Sequence, residues 1–221
     1  YIIPTPIGNL GDITYRAIEL LKSSDRIYAE DTRTTQKLLS HYQIKKKIFS
    51  YHQHNEHKIV DSIISEIIMS ELNITLVSDA GTPGISDPGF LLINKAKKSN
   101  INVFCLPGAT ALIPALVQSG FATKEFYFFG FLPHKKGRNK KLKQLLEKKS
   151  TIIIYESPHR LLKLLSELKE HDSNKRKISI SREMTKIHEE NISGSVDEII
   201  EYFSKKTIKG EIVAVSYTHL R

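Results

Sequence analysis

Short apolar runs alternate along the chain with amphipathic stretches. The runs at residues 74–77, 103–106 and 151–155 predict buried strands. Between such runs, apolar residues recur at helical spacing, most clearly over residues 60–68. Further strands are predicted at residues 1–3, 26–29, 48–51, 126–132, 178–181 and 212–216, with an antiparallel return at 189–194. Strands that alternate with helices in this way predict an α/β fold.

Three predicted strand-to-helix junctions are rich in small and turn-forming residues. The longest, residues 78–89, contains three glycines, two prolines and two aspartates, and the others are residues 4–11 and 107–111. None matches the dinucleotide or Walker fingerprint. Glycine lets backbone amides approach a ligand closely, and the carboxyl ends of parallel strands share one edge of a sheet. We expect the three loops to line one pocket; the alternative is a set of long structural turns.

The chain has no repeats and no long linker, and its natural break lies between residues 120 and 126. Each half has the α/β pattern. We therefore predict an N-terminal α/β domain at residues 1–120 and a C-terminal α/β domain at residues 121–221.

The composition indicates a positively charged protein in a reducing compartment. Lys and Arg number 33 against 24 Asp and Glu, a net charge of +9. This excess favours a polyanionic partner such as RNA, and a membrane surface or plain solubility are the alternative explanations. The single cysteine excludes a disulfide framework, and no apolar run reaches the ~20 residues that span a bilayer. With no export leader evident, we expect a cytoplasmic protein without a membrane segment.

Two polar stretches allow alternative interpretations. Residues 133–143 include six Lys or Arg, which suits either a solvated helix face or a phosphate-binding arm. His52, His54, Glu56 and His57 suggest zinc, but their spacing does not match H-E-x-x-H. We predict no metal site there and favour a helix entry or a substrate-facing loop.

Seven runs, in order over nearly the whole chain, resemble the tetrapyrrole methylase superfamily of class III S-adenosylmethionine methyltransferases. Within it, the chain is similar to the branch that methylates ribosomal RNA. The runs are residues 5–12, 29–33, 78–89, 107–111, 131–133, 155–160 and 182–186. Each is weak alone, and their order makes the match specific. Residues 217–221 depart from the usual ending of the family.

The resemblance implies two α/β domains of the tetrapyrrole methylase type, with the cofactor cleft between them, and a homodimer. It also implies 2′-O-methylation of a cytidine ribose in small-subunit rRNA, within the ribosomal small subunit. S-adenosylmethionine is then expected to contact Pro6, Gly8, Asp79, Gly81, Thr82, Thr110, Ala111 and Tyr155. Thr110 and Ala111 precede a predicted helix, where free amides can bond a carboxylate.

A ribose hydroxyl is a poor nucleophile, so methyl transfer to it needs a base or a cation that stabilises the oxyanion. Glu156, Glu183 and Lys186 are the catalytic candidates because each follows a strand of the second half. Arg160 and Arg182 suit bidentate phosphate contacts. The candidate RNA-binding residues are Lys135, Lys136, Arg138, Arg160 and Arg182. Surface ion pairs or helix caps are the alternative roles.

The sequence also allows two other functions. A methylase of a tetrapyrrole would keep the three loops but would need neither the basic stretch nor the net charge. A non-catalytic RNA-binding module would keep the basic surface but would not need the loops.

Overall fold

The computed structural model describes residues 1–171 and 176–218, and the chain divides into two compact units, Tyr1–Thr110 and Ala111–Arg221. Residues 219–221, at the atypical end of the sequence, lie outside the described part. In the first unit the helices are α1 (Tyr15–Ser23), α2 (Thr32–His41), α3 (Glu56–Ser70) and α4 (Phe90–Lys98). Its strands are β1 (Arg26–Ala29), β2 (Ile48–Ser50) and β3 (Ile74–Val77), which confirms the predicted α/β pattern.

The first sheet is parallel, with strand order β2-β1-β3. Helices cover both faces. Tyr28 and Leu76 pack with Val60 of α3 and Leu92 of α4, whereas α1 and α2 cover the other face. This double coverage explains why the strands appear in the sequence as apolar runs with little polar alternation.

The predicted strands at 1–3 and 103–106 are reduced to isolated bridges. Ile2 bridges to Leu76 on one side and to Cys105 on the other, which extends the sheet. The prediction of a buried strand at 103–106 was wrong, because this segment lies outermost. Phe104 is 55% exposed, and its ring stacks on Tyr1 at 5.6 Å.

The second unit contains a mixed sheet. Its helices are α5 (Leu112–Gln118), α6 (Arg138–Leu146), α7 (Leu161–His171) and α8 (Val196–Ser204). Its strands are β4 (Phe126–Phe131), β5 (Thr151–Glu156), β6 (Lys177–Arg182), β7 (Glu190–Ser195) and β8 (Ile212–Tyr217). The order is β4-β5-β8-β6-β7, in which only β4 and β5 are parallel. The predicted antiparallel return is confirmed as β7.

The boundary between the two units follows Thr110, ten residues before the boundary expected from sequence. Helix α5 belongs to the second unit because its buried Ala115 and Leu116 lie on the side that packs against β6 and β8. The Ser181 hydroxyl on β6 also donates to the Gln118 side chain at 3.2 Å. No helix within residues 1–171 and 176–218 is long and apolar enough to cross a membrane.

An ion-pair cluster joins β6, β7 and α8. Glu190 accepts hydrogen bonds from Arg182 at 2.8 Å, from Lys206 at 2.6 Å and from the Tyr202 hydroxyl. Burial alone would raise the pKa of Glu190, but these three donors outweigh it and lower the pKa to about 2. A lowered folded-state pKa stabilises the fold above the usual value near 4.5, and this contribution is lost as the pH falls toward 2.

We therefore expect Glu190→Gln to lower the free energy of unfolding at pH 7 and to flatten its decline between pH 4.5 and 2. The difference from wild type should reach about 1 to 3 kcal/mol at neutral pH. Urea unfolding across the pH range measures it, with Glu170→Gln on the exposed side of α7 as the matched loss of one carboxylate. Parallel pH profiles for wild type and Glu190→Gln would contradict this assignment.

Candidate functional site

The loops after β3 and after the N-terminal segment are tied together at the carboxyl edge of the first sheet. Thr5 and Gly81 exchange two backbone hydrogen bonds, each of 2.9 Å. The Thr5 hydroxyl also donates to the Ser78 carbonyl at 2.9 Å, and the Ser78 hydroxyl donates to the Gly81 carbonyl at 3.2 Å. Gly81 has φ +84°, a left-handed conformation that glycine adopts without strain. The pairing fixes both loops with backbone bonds and short side chains.

The loop at residues 107–111 joins the same cluster. The Thr82 hydroxyl donates to the Ala109 carbonyl at 3.2 Å. Gly108 lies so close to Pro4 that an added Cβ would come within 2.8 Å of the Pro4 Cβ. The predicted convergence of the three loops is therefore confirmed within the first unit, and bare glycine backbone is what permits their approach.

The residues expected to contact a methyl donor are distributed over this cluster and one strand of the second unit. Pro6 and Thr82 are half-buried, Gly8 and Asp79 are exposed, and Gly81 is buried. Thr110 and Ala111, both half-buried, flank the division between the units, and Ala111 is the N-cap residue of α5. Tyr155 is half-buried on β5. Their roles toward a ligand stay predictions.

Three carboxylates lie at the ends of neighbouring strands β1 and β3. Ala29 and Val77 are register partners, so Glu30, Asp31 and Asp79 follow side by side, and the Asp31 amide donates to Asp79 Oδ1 at 3.0 Å. Desolvation raises the pKa of Glu30 and of Asp79. Hydrogen bonds from Arg33 lower the pKa of Asp31 to about 2.

Such an edge suits a cationic ligand, because three carboxylates lie beside the loop cluster and Arg33 pairs with one of them, Asp31. Glu30 and Asp31 were not among the predicted site residues. The signal that could have found them is their position directly after the β1 strand.

Glu156 is the centre of a buried ion-pair network in the second unit. Arg160 Nη2 lies 2.7 Å from Glu156 Oε1, and Arg138 Nη2 lies 3.6 Å from Glu156 Oε2. Arg138 also pairs with Glu167 at 2.8 Å, and only 3% of Arg138 is exposed. A carboxylate held this way inside the fold does not fit the predicted role of catalytic base. Arg138 does not fit an RNA contact, and Arg160 is committed to Glu156.

The same network fixes the chain that follows β4. Arg160 Nη1 donates to the Leu132 carbonyl and Arg138 Nη1 to the Pro133 carbonyl, each at 3.2 Å. The basic arm, residues 133–137, therefore begins where these hydrogen bonds fix the backbone. Its Lys135 and Lys136 are exposed, as an RNA-binding role requires.

Glu183 and Lys186 lie in the turn between β6 and β7. Lys186 Nζ pairs with Glu183 at 2.8 Å and with Glu211 at 2.9 Å. Burial alone would lower the pKa of Lys186, but the two carboxylates outweigh it and raise the pKa. Burial alone would raise the pKa of Glu183, but Lys186 and the Glu211 amide outweigh it and lower the pKa. Both side chains therefore stay charged at neutral pH.

Arg182 is engaged within the same region rather than free for a phosphate. Its guanidinium donates to Glu190, to the His188 carbonyl at 3.3 Å and to the Lys209 carbonyl at 3.0 Å. An RNA contact by Arg182 would have to replace these bonds.

The histidine-rich stretch forms the entry to α3. The His52 amide donates to the Asn55 side chain at 2.8 Å, and Asn55 donates to the Ser50 carbonyl at 3.1 Å. Within residues 1–171 and 176–218, no group of three His, Cys, Asp or Glu side chains is arranged to hold a metal ion.

With this geometry established, the family can be assigned. The sequence profile of the Tetrapyrrole (Corrin/Porphyrin) Methylases matches residues 1–200. The chain belongs to this family of methylases.

Curated relatives narrow the assignment. Proteins named ribosomal RNA small subunit methyltransferase I are 48% identical in Synechocystis and 44% identical in Thermotoga maritima. Each alignment covers 97% of this chain, with 77% of the Synechocystis protein and 96% of the Thermotoga protein. A Bacillus subtilis protein of the same name is 46% identical, with 97% of this chain and 73% of that protein covered. Within the methylases, the chain groups with the ribosomal RNA small subunit methyltransferases I.

Solved structures agree on the fold. Uroporphyrin-III C-methyltransferase from Thermus thermophilus has a TM-score of 0.65 at 14% identity, covering 96% of this chain and 91% of that one. The complex of that enzyme with S-adenosyl homocysteine has a TM-score of 0.65 at 15% identity, covering 97% and 95%. The chain therefore has the tetrapyrrole methylase fold.

We expect Gly108→Ala to destabilise the loop cluster, because its new methyl group would overlap Pro4. Overpacking of this kind costs about 1 to 3 kcal/mol, measured as a lower midpoint of urea unfolding. Gly11→Ala is the matched control, since neither glycine has a positive φ and the nearest neighbour of a Gly11 Cβ is an Asn9 side-chain oxygen at 3.3 Å. Equal midpoints for the two variants would show that the loops do not approach closely in solution.

Proposed function

We propose that this chain is an S-adenosylmethionine-dependent methyltransferase that modifies small-subunit ribosomal RNA. The observation that carries the proposal is the convergence of three glycine-rich loops at the carboxyl edge of a parallel sheet. It occurs in a chain that aligns over 97% of its length with proteins named ribosomal RNA small subunit methyltransferase I.

The charge distribution supports a nucleic-acid substrate for the second unit. Residues 1–110 contain 12 Lys and Arg against 11 Asp and Glu, whereas residues 111–221 contain 21 against 13. Almost all of the net positive charge therefore belongs to the second unit, which also carries the basic arm. Neutralised phosphates release counterions, so an excess of positive residues in this unit favours a polyanion such as RNA.

The loop cluster fits S-adenosylmethionine in two respects. The close approach of Gly81 and Gly108 to neighbouring loops concentrates backbone groups at one edge of the sheet, and the neighbouring Asp79 and Glu30 complement a cationic ligand. We assign the donor to the loop residues Pro6, Gly8, Asp79, Gly81, Thr82, Thr110 and Ala111, together with Tyr155. When bound, S-adenosylmethionine supplies a methyl group already activated on a sulfonium.

The catalytic role is assigned to Lys186, with Glu183 as the residue that orients it. The Lys186 ammonium keeps its charge at neutral pH because its pKa is raised, so it can stabilise negative charge that develops on a ribose oxygen. Glu183 holds Lys186 Nζ at 2.8 Å and is too weak a base, with its lowered pKa, to remove a hydroxyl proton efficiently.

The finer parts of the proposal follow the family resemblance. They are 2′-O-methylation of a cytidine ribose, action on the assembled small subunit, a homodimeric enzyme and a cytoplasmic location. A methylase that acts on a tetrapyrrole is the alternative, favoured by the name of the family and by the names of the structural neighbours.

The decisive assay offers the protein labelled S-adenosylmethionine with purified small subunits, free small-subunit rRNA or a porphyrinogen. We expect methyl transfer to the ribosomal substrate, with resistance of one ribose to alkaline cleavage. Calorimetry with S-adenosylmethionine alone should show binding. Methyl transfer to the porphyrinogen alone would show that the chain is a tetrapyrrole methylase. A calorimetric titration without heat of S-adenosylmethionine binding would indicate a non-catalytic RNA-binding module.

We expect Lys186→Met to slow single-turnover methyl transfer on the order of 100-fold, with donor binding unchanged, because a cation near the reacting oxygen is lost. Glu183→Gln should slow it less. Lys205→Met is the control, since Lys205 forms an exposed pair with Glu201 at 2.6 Å. Wild-type rates of methyl transfer in both the Lys186 and Glu183 variants would show that these two residues have no catalytic role.

A further inference from the structure

Strand β4 presents an aromatic ring at the foot of the basic arm. Phe131 is the last residue of β4, and 53% of it is exposed. Its register partner on β5 is Tyr155, whose ring lies 5.6 Å away with an interplanar angle of 63°. Phe128 contacts the same tyrosine at 4.9 Å and 71°. Edge-on contacts of this kind hold the Phe131 ring in place and leave much of it open.

Other rings of the strand already have cationic partners. Lys148 Nζ lies 4.4 Å from the ring centroid of Tyr127, and Lys141 Nζ lies 5.0 Å from that of Phe129. Each of these lysines covers one face of its ring. Phe131 differs because the contact described for its ring is with the aromatic Tyr155 at the strand end.

The position of Phe131 is fixed from the C-terminal side. The carbonyls of Leu132 and Pro133, the next two residues, accept hydrogen bonds from Arg160 and Arg138. Both guanidinium groups are held by the buried Glu156. An exposed apolar ring next to a fixed backbone segment is preorganised for a flat ligand, since little conformational entropy is lost on binding.

Charge specifies the kind of ligand. Lys135 and Lys136 are exposed four and five residues after Phe131, and Gly137, with φ +83°, ends the arm. An aromatic platform beside exposed cations matches single-stranded nucleic acid, in which a base stacks on the ring and phosphates contact the lysines. A second protein surface would not need this concentration of positive charge.

We propose that Phe131 is a stacking residue for an unpaired base of the RNA substrate, at or beside the methylated nucleotide. This inference rests on the proposed function. It adds a base-binding residue that is distinct from the donor-binding loops and from Lys186. It also gives the Glu156 network a positioning role. By binding the carbonyls of Leu132 and Pro133, the network fixes the backbone between the stacking ring and the lysines of the arm.

The chain contains no tryptophan, so Phe131→Trp would introduce a single fluorescent reporter at the proposed contact. We expect a short single-stranded oligoribonucleotide to quench its emission, because a base stacks on the indole. An abasic oligomer of the same length should quench far less. Phe126→Trp is the matched control, since Phe126 is also exposed, at 38%, but lies at the opposite end of β4. Quenching in both variants, or in neither, would overturn the proposal.

Binding of the same oligoribonucleotide separates stacking from charge. We expect Phe131→Ala to weaken binding about 5- to 150-fold at fixed salt, while the salt dependence of binding keeps its slope. Lys135→Ala with Lys136→Ala should instead reduce that slope by about 1 to 2. Thermal unfolding and S-adenosylmethionine calorimetry on each variant ensure that the fold and donor site are intact.

Three outcomes separate this inference from the proposed function. Wild-type methylation with unchanged RNA binding by Phe131→Ala would overturn the stacking role and leave the function standing. Weaker binding of S-adenosylmethionine by Phe131→Ala would assign the ring to the donor and overturn the inference. Failure of the wild-type protein to bind RNA would overturn both.

Discussion

The backbone pairing between Thr5 and Gly81 is the constraint on which the candidate site depends. Two hydrogen bonds of 2.9 Å lock the first two loops, and the approach of Gly108 to Pro4 brings in the third. A parallel sheet places strand ends along one edge, and glycine permits the two tightest contacts: Gly81 through its left-handed backbone, and Gly108 because a Cβ there would overlap Pro4. The result is an edge rich in backbone groups and carboxylates, which suits a small cationic ligand rather than a polyanion.

The second unit uses buried charge for a different purpose. Removing Glu156, Arg138 and Arg160 from water is costly, and their mutual attraction offsets that cost only with good geometry. Here the guanidinium groups also bind the carbonyls of Leu132 and Pro133, so the network fixes where the aromatic strand ends and the basic arm begins. The buried ion pairs thereby position an exposed segment.

Sequence reasoning succeeded where local pattern decides structure. The run at residues 151–155 has no polar alternation, and β5 is a buried interior strand, between β4 and β8. It failed at residues 103–106, because an apolar run does not distinguish a central strand from the outermost one. It also failed for Arg138, since a basic stretch shows no sign that one arginine turns inward to Glu167, which lies 29 residues away. Long-range pairing of charges has no local signature, whereas loops that need glycine do.

The most direct test of the central claim is hydrogen–deuterium exchange with and without S-adenosylmethionine. If the three converging loops hold the donor, amides in residues 4–11, 78–89 and 107–111 should exchange more slowly in its presence, together with those near Tyr155. Protection confined to other segments, with these loops unchanged while the donor is bound, would contradict the account.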